Sequence, residues 1–417
     1  MQTTTDRPRL LLGGLAMAVA LLATTVVVGW AAPVSAGTPT ARAKATFTGG
    51  QQVAPYGAAG DPSVASNGTY TMAVWSQQIN GTYGVFGRIM SSDTTSIGGR
   101  FKVFYLAGHD ALAPDVAWNG SQWLVVFRYS YSAADSDIRA RLYDGSGAPA
   151  TSDFGVETAT STQYNPAVTG GPDGQFLVAW EDGRNAGTTG SDIYASRVAS
   201  GTRLDSPALR ISNDPPESVE NDFDPDVAWS PGHTTYAVAW DAQSSVSSRI
   251  RARKLGPSGI LASGGTEAIG DTTEPVSFPA IASNGSDFMI TYQFATAKAS
   301  SVDIWGVNVD QEDRHPFPIS QEPGDEREPT IAYNGLYLVA WTDRRDDPAG
   351  DIYLARVKQD RSVLDPTGLG FSTSTASDLH PALTSGTSDA RTFGVAWQPS
   401  NDTGPGVVAW GASVAPK

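Results

Sequence analysis

Two stretches of the 417-residue chain place the same ionisable side chains at the same spacing. Trp180-Glu181-Asp182-Gly183-Arg184 is followed by Asp192-Ile193-Tyr194, and Trp341-Thr342-Asp343-Arg344-Arg345 by Asp351-Ile352-Tyr353. Asp241 with Arg249, and Arg128 with Asp137, are partial copies. An arginine fork between two carboxylates makes paired, charge-assisted hydrogen bonds. Aspartate can also cap the backbone N–H groups of a turn. The Asp, the Arg and the later Asp are therefore expected to bind one another across a loop, and their repetition favours a structural duty over chemistry.

The same loops are also where a ligand would be met. The segments between repeats are acidic, at Glu217–Asp226 (ESVENDFDPD), Glu322–Glu328 (EPGDERE) and Asp378–His380. One face should thus gather carboxylates from loops and crossovers together. The candidate ligand-binding set on that face is Asp182, Arg184, Asp192, Glu220, Asp222, Asp241, Asp343, Arg345 and Asp351. Clustered carboxylates with Asn and carbonyl oxygens suit calcium, which takes about six to eight oxygens. No stretch matches an EF-hand loop, so no cofactor is assigned and calcium stays the single candidate.

Catalytic motifs are missing. Glycoside hydrolysis needs two carboxylates ~5 to 10 Å apart across a pocket, and nothing in the sequence singles out a pair. Asp144-Gly145 and Asp182-Gly183 lack the Ser and Trp of the sialidase turn S-x-D-x-G-x-x-W. His109, His233, His315 and His380 have no metal-ligand spacing with one another. There is no G-x-S-x-G and no phosphate loop. No catalytic residue is assigned, and a glycoside hydrolase or polysaccharide lyase is the alternative to a binding module.

The elements that position these loops recur. Within Glu328–Val357, a short apolar run after Pro329 leads to Asn334-Gly335, a hairpin signal of the type I′ kind. A second run ends at Trp341, and Asp351–Val357 alternates with period two as a third strand. A weaker run, Gly368 to Thr373, is a fourth. The opening proline recurs as Pro62, Pro114, Pro166, Pro225, Pro279, Pro329 and Pro381. The aromatic closing the second strand recurs as Trp75, Phe127, Trp180, Trp240, Tyr292, Trp341 and Trp397. Four strands per repeat at a spacing near fifty residues is the pattern of a β-propeller blade. The expectation is all-β: a seven-bladed propeller of four-stranded antiparallel blades over 47–417. Evenly spaced copies disfavour tandem sandwiches. The last copy stops after its third strand, and Phe47–Ala54 reads as a fourth strand without a repeat, so it should complete the last blade.

The repeat aromatics are expected between blades. Trp118 and Trp229, with Tyr333, follow the first strand and are expected to fill the channel, or to stack on a sugar at its mouth. Asn67-Gly68-Thr69, Asn80-Gly81-Thr82, Asn119-Gly120-Ser121 and Asn284-Gly285-Ser286 match the glycosylation acceptor but read more simply as turns.

Residues 1–36 read as a signal peptide: Arg7 and Arg9, an apolar run from Leu10 to Trp30, then Val34-Ser35-Ala36. The alternative is an uncleaved anchor. Residues 37–46 are a flexible spacer. Without the leader, 26 basic residues face 42 acidic ones. That balance disfavours nucleic acid and anionic membrane as partners. It fits a secreted monomer whose partner is an extracellular glycan or protein. The chain has no cysteine, and a core of this size does not need disulfides.

In W-x-D-x-R, D-I-Y-x-A-R-V and P-x-V-A-x-N-G, from Asp61 to Val414, the chain resembles repeats of secreted bacterial β-propeller proteins. The resemblance implies a propeller and export, with no defined activity and no transferable catalytic residues.

Overall fold

A computed structural model describes residues 46–54, 59–91, 98–212, 220–262, 267–272, 274–296, 301–310, 314–372, 377–386, 392–401, 404–405 and 407–413. They form seven antiparallel sheets in which consecutive strands pair in order. The sixth sheet is the pattern for the rest: Glu326–Tyr333, Tyr337–Asp343, Asp351–Val357 and Leu369–Ser372. Its second and third strands are buried at every residue. Such strands expose apolar side chains on both faces of the sheet and need a neighbour on each.

The neighbours are the adjoining sheets. Along Gln175–Asp182, Phe176, Val178 and Trp180 pack against Leu124, Val126 and Leu142 of the preceding sheet. The alternate residues Leu177 and Ala179 pack against Val227, Val238 and Trp240 of the following one. Period two along the strand thus sends successive residues into two different cores. The inner strands, beginning at Ala59, Ala111, Gln163, Asn221, Val276, Glu326 and Ser377, contact one another in sequence. Ser377–Ser385 also contacts Ala59–Ser66, so the ring closes on itself. The architecture is an all-β propeller, with no α-helix among the described residues.

Closure is made by the leading strand. Thr46–Ala54 pairs antiparallel with Val407–Ser413, with Thr46 opposite Ser413 and Ala54 opposite Val407. It occupies the outer edge of the last sheet, where the final repeat has no strand of its own. The sandwich alternative is excluded by this topology. The leader and most of the spacer lie outside the described residues. Among the described residues no helix is long and apolar enough to cross a membrane.

One turn departs from expectation. At the first hairpins Gly68, Gly120, Gly285 and Gly335 are left-handed, whereas their preceding asparagines are not. Those asparagines act through their side chains. Asn67 Oδ1 accepts the N–H groups of Thr69 (2.9 Å) and Tyr70 (2.7 Å), and its amide donates to Gly145 O in the next sheet (3.0 Å). Asn119 repeats the arrangement with Gln122 and Gly174 O. The two consecutive left-handed residues of a type I′ turn occur instead at Asn80-Gly81.

Starting the chain at residue 55 should remove the outer strand of the last sheet together with the buried Val53 and Ala54. The expected loss is at least about 3 kcal/mol from apolar burial and ladder hydrogen bonds. The bared edge of Val407–Ser413 should also promote association. Thermal melting and size-exclusion chromatography of the truncated protein check both outcomes.

Candidate functional site: an axial cavity on the loop face

Every inner strand carries the same irregularity. Its register against the second strand slips once, for example between Gly60 and Ser63 and between Phe223 and Asp226. The residue at the slip stands just before the repeat-opening proline and is left-handed in all seven sheets. Asp61, Ala113, Asn165, Asp224, Phe278, Glu328 and His380 have φ between 43° and 55°. A bulge of this kind turns one side chain out of the sheet's alternation. None of the seven is glycine, although a non-glycine residue in this conformation costs roughly 1–3 kcal/mol. Asp and Asn tolerate it best; Phe278, Glu328 and His380 hold it without that help.

The seven residues and their prolines line a cavity of about 370 Å³ on the axis. Its rim is on the side of the loops between second and third strands, as Gln163 lies opposite Asp182 in the same register. Each proline is buried, and Phe278 is 40 % exposed. Three carboxylates, one amide, one imidazole and one phenyl ring thus share a small mouth.

A second ring supports the first. It consists of the residue that follows the repeat aromatic on each second strand. Where that side chain is Glu or Gln, it accepts the backbone N–H of the next sheet's mouth residue. Glu181 takes Asp224 N (2.9 Å), Gln293 takes Glu328 N (3.2 Å) and Gln398 takes Asp61 N (3.4 Å). Glu181 also accepts from Asn165 Nδ2 (2.8 Å), which donates in turn to Asp224 Oδ1 (3.0 Å). Where the side chain is short, at Ser76, Asp241 and Thr342, a buried oxygen has no hydrogen-bond partner.

The electrostatics follow from burial and like charge. Burial pushes the Glu181 carboxyl up to about 7, with Asp224 adding repulsion. Burial, then the charges of Asp224 and Glu181, push Asp241 up to about 8. Asp224 itself is raised by burial, with Glu328 adding to the shift. Across the rim, His380 Nδ1 and Glu328 Oε2 are 2.9 Å apart. Below the mouth, Asp115 and Asp226 tie inner strands together, accepting Val168 N and Ile281 N (2.7 Å each).

A lateral cavity of about 340 Å³ adjoins this region, lined by Arg128, Tyr131, Tyr164 and Ser136 among others. Tyr164 precedes the mouth residue Asn165, and the Arg128 guanidinium lies 4.9 Å from the centre of the Tyr164 ring.

The residues singled out by the sequence motif serve elsewhere. Trp180 Nε1 donates to Asp182 (2.9 Å), and Arg184 spans Asp182 and Glu157. Trp341 Nε1 donates to Asp343 (2.8 Å), and Arg345 spans Asp343 and Glu326. The arginine fork is real, but its second arm is not the later aspartate. Asp192 instead takes Arg210 and Asn185, and Asp351 faces other carboxylates, burial first and then Asp347 and Asp378 pushing it up to about 6. Glu220 is held by Arg249 and Arg251, and Asp222 accepts Trp240 Nε1 (2.8 Å). Asp182, Asp192, Glu220, Asp222 and Asp343 are at most 3 % exposed. Of the sequence's candidates, Asp241 alone is brought beside the axial cavity, against Asp224.

Trp118, Trp229 and Tyr333 do not fill the mouth. They sit at the opposite end of their strands and pack at a tilt against Trp123 (4.9 Å), Tyr236 (4.6 Å) and Tyr337 (4.9 Å). Among the described residues no group of three His, Asp or Glu side chains is arranged to hold a metal ion. The mouth residues themselves were hidden in the sequence. Their signal was the position before each repeat-opening proline, where residue type changes from copy to copy.

No family model matches the chain, and no curated protein sequence matches it. Solved structures do. A protein of unknown function from Dyadobacter fermentans superposes with a TM-score of 0.53 at 9 % identity, covering 75 % of this chain and 97 % of that one. A prolyl endopeptidase gives a TM-score of 0.53 at 11 % identity, covering 86 % of this chain but 47 % of its own length. The GH93 α-L-arabinofuranosidase of Fusarium graminearum gives 0.50 at 10 % identity, covering 88 % and 97 %. At these identities the likeness is one of fold.

Replacing Asp343 with Ala should leave the Trp341 indole N–H and one arm of Arg345 unpaired in the core. The expected loss is about 3–5 kcal/mol, read by chemical denaturation.

The Glu328–His380 pair makes a pH prediction. The hydrogen bond from His380 to Glu328 raises the His380 pKa above its ordinary 6.5, against burial. Burial pushes Glu328 up, but the hydrogen bond and charge of His380 outweigh it and leave the carboxyl below its ordinary 4.5. A raised imidazole stabilises the fold below its unfolded pKa and loses that contribution as pH rises through its folded value. A lowered carboxyl contributes above its unfolded pKa and loses it as pH falls through its folded value. The pair therefore contributes in full between the ordinary values of 4.5 and 6.5, and its contribution fades outside that window as each folded value is passed. An NMR titration should place the His380 midpoint above 6.5, and Glu328→Gln should lower it.

Proposed function

We propose that this is an extracellular binding propeller, seven blades about one axis, exported by its N-terminal segment. It receives the end of a carbohydrate in the axial cavity of the loop face. The observation that carries this reading is the contrast between the two kinds of equivalent position. Where the repeats build structure, the residue type mostly recurs, as with the buried Trp75, Trp180, Trp240, Trp341 and Trp397. At the mouth, seven conformationally equivalent positions hold six kinds of side chain. A single ligand on the axis meets each blade differently, and such a mouth suits one asymmetric ligand better than seven equal ones.

The chemistry favours a polyhydroxyl ligand. The Asp61, Asp224 and Glu328 carboxylates accept hydrogen bonds from hydroxyl groups, the Asn165 amide donates or accepts, and the exposed Phe278 ring offers a flat face. A cavity of about 370 Å³ is near the lower end of the roughly 300–1,000 Å³ typical of small-ligand sites. A protruding protein segment is the other extracellular ligand the acidic face would accept.

A hydrolase is the second reading, and it too has an observation behind it. Glu181, raised to about 7, bonds to the backbone of Asp224 beside the cavity. A carboxyl of raised pKa beside a second carboxyl is an arrangement glycosidases use for acid and base work. A polysaccharide hydrolysis screen decides between the two: turnover lost in Glu181→Gln and Asp224→Asn would replace the binding reading.

A glycan array should reveal bound sugars, and Phe278→Ala should weaken them about tenfold, through loss of ring contact worth ~1.4 kcal/mol. Because Phe278 is 40 % exposed, the melting temperature should stay within a few degrees of wild type. An array without any ligand would overturn the carbohydrate assignment.

A further inference from the structure

We infer that the axial cavity contains an ammonium subsite between the fourth and fifth sheets, formed by Asp224, Asp241 and the ring of Phe278, and that the sugar bound there carries a free amino group. This inference rests on the reading of the cavity as a carbohydrate site and deepens it.

The geometry begins with the second ring. Asp241 occupies the position from which Glu181, Gln293 and Gln398 each reach the mouth residue of the next sheet. In its case that mouth residue is Phe278. Aspartate is one methylene shorter than glutamate, and the reach fails. Asp241 is 1 % exposed, its Oδ2 accepts from Gln243 Nε2 (3.0 Å), and its Oδ1 has no hydrogen-bond partner. A buried carboxyl oxygen without a partner leaves an acceptor that a cationic ligand can use, ionising the group as it binds.

The surroundings select the sign of that ligand. The charged groups acting on Asp241 are Asp224 and Glu181, both acidic. Glu328 acts on Asp224 with the same sign, and Arg128, across the lateral cavity, is the cation acting on Glu181. Among the described residues no basic side chain forms an ion pair with Asp224 or Asp241 in the way that Arg249 and Arg251 do with Glu220 in the same sheet.

Phe278 completes the subsite. It is the aromatic member of the mouth ring, adjacent to Asp224 in the order of sheets and 40 % exposed. A ring face attracts an ammonium ion placed above it. The same combination gives a metal ion too few ligands, since the described residues hold no group of three side chains arranged for one. An ammonium group, with three donors in a compact head, meets two carboxylates and a ring face together.

The linkage provides a readout separate from affinity. Burial and like charge raise Asp241 to about 8, which favours the protonated form in the free site. An ammonium ion bound between the carboxylates favours the ionised form and drives that proton into solution.

Isothermal titration of the full-length protein at pH 7 with glucosamine, N-acetylglucosamine and glucose tests the idea. It is run in two buffers of different ionisation enthalpy. Glucosamine should bind at least about tenfold more tightly than the other two and release between half a proton and one, roughly, to the buffer. Asp241→Asn should abolish the preference and the release. Phe278→Ala should reduce the preference and keep the release. If N-acetylglucosamine or glucose matches glucosamine, the ammonium subsite is overturned while the carbohydrate reading stands. If no sugar binds, both fall. If N-acetyl-lysine methylamide binds as tightly as glucosamine would have to, and glucosamine does not bind, the amino-sugar assignment is overturned in favour of a peptide ammonium.

Discussion

The fold depends on strands that are apolar on both faces. Tyr337–Asp343 and Asp351–Val357 are buried along their whole length, and a lone sheet has no means of covering two faces at once. Placing sheets side by side covers one face of each against its predecessor and the other against its successor. The arrangement has no natural end, so it must close. Closure explains why the first described strand pairs with the last, and why Val53, Ala54 and Ala396 of the last sheet share a core with Val64, Ala73 and Trp75 of the first.

A closed ring creates an axis, and the axis brings together residues that are about fifty positions apart in the chain. The bulge at each inner strand turns one left-handed residue toward it. Those backbone conformations are costly for residues such as Phe278 and Glu328, and the buried proline that follows each one holds its position by fixing its own φ. Between them, bulge and proline convert seven repeats into seven chosen side chains around one cavity.

Polar groups on the loop face divide accordingly. Asp182, Asp343, Glu220 and their arginines satisfy one another and the buried indoles; they are parts of the scaffold. Asp224 and Asp241 lie beside the cavity, and burial first, then nearby acidic charge, raises the pKa of each. The sequence motif W-x-D-x-R drew attention to the first group because it repeats. Repetition marks what every blade needs, and a site at the centre of a ring has only one copy of each part.

The amino-acid sequence alone determined the strands, their order and the repeat, because period-two alternation, Asn-Gly turns and the recurring proline and tryptophan are local. It also determined that the leading run had to serve the last repeat, since that repeat is one strand short. Which carboxylates are paired was decided by tertiary structure. Arg184 reaches Glu157 of the neighbouring sheet rather than Asp192 of its own loop, and Trp118 packs against Trp123 at the end of the strand remote from the mouth. The mouth itself was decided the same way: a residue before a proline reads as an ordinary strand start until the bulge sets its φ and the ring sets its neighbours. Burial did the rest, since the charge state of Asp241 depends on Asp224 and Glu181 converging on it from their places in the closed ring.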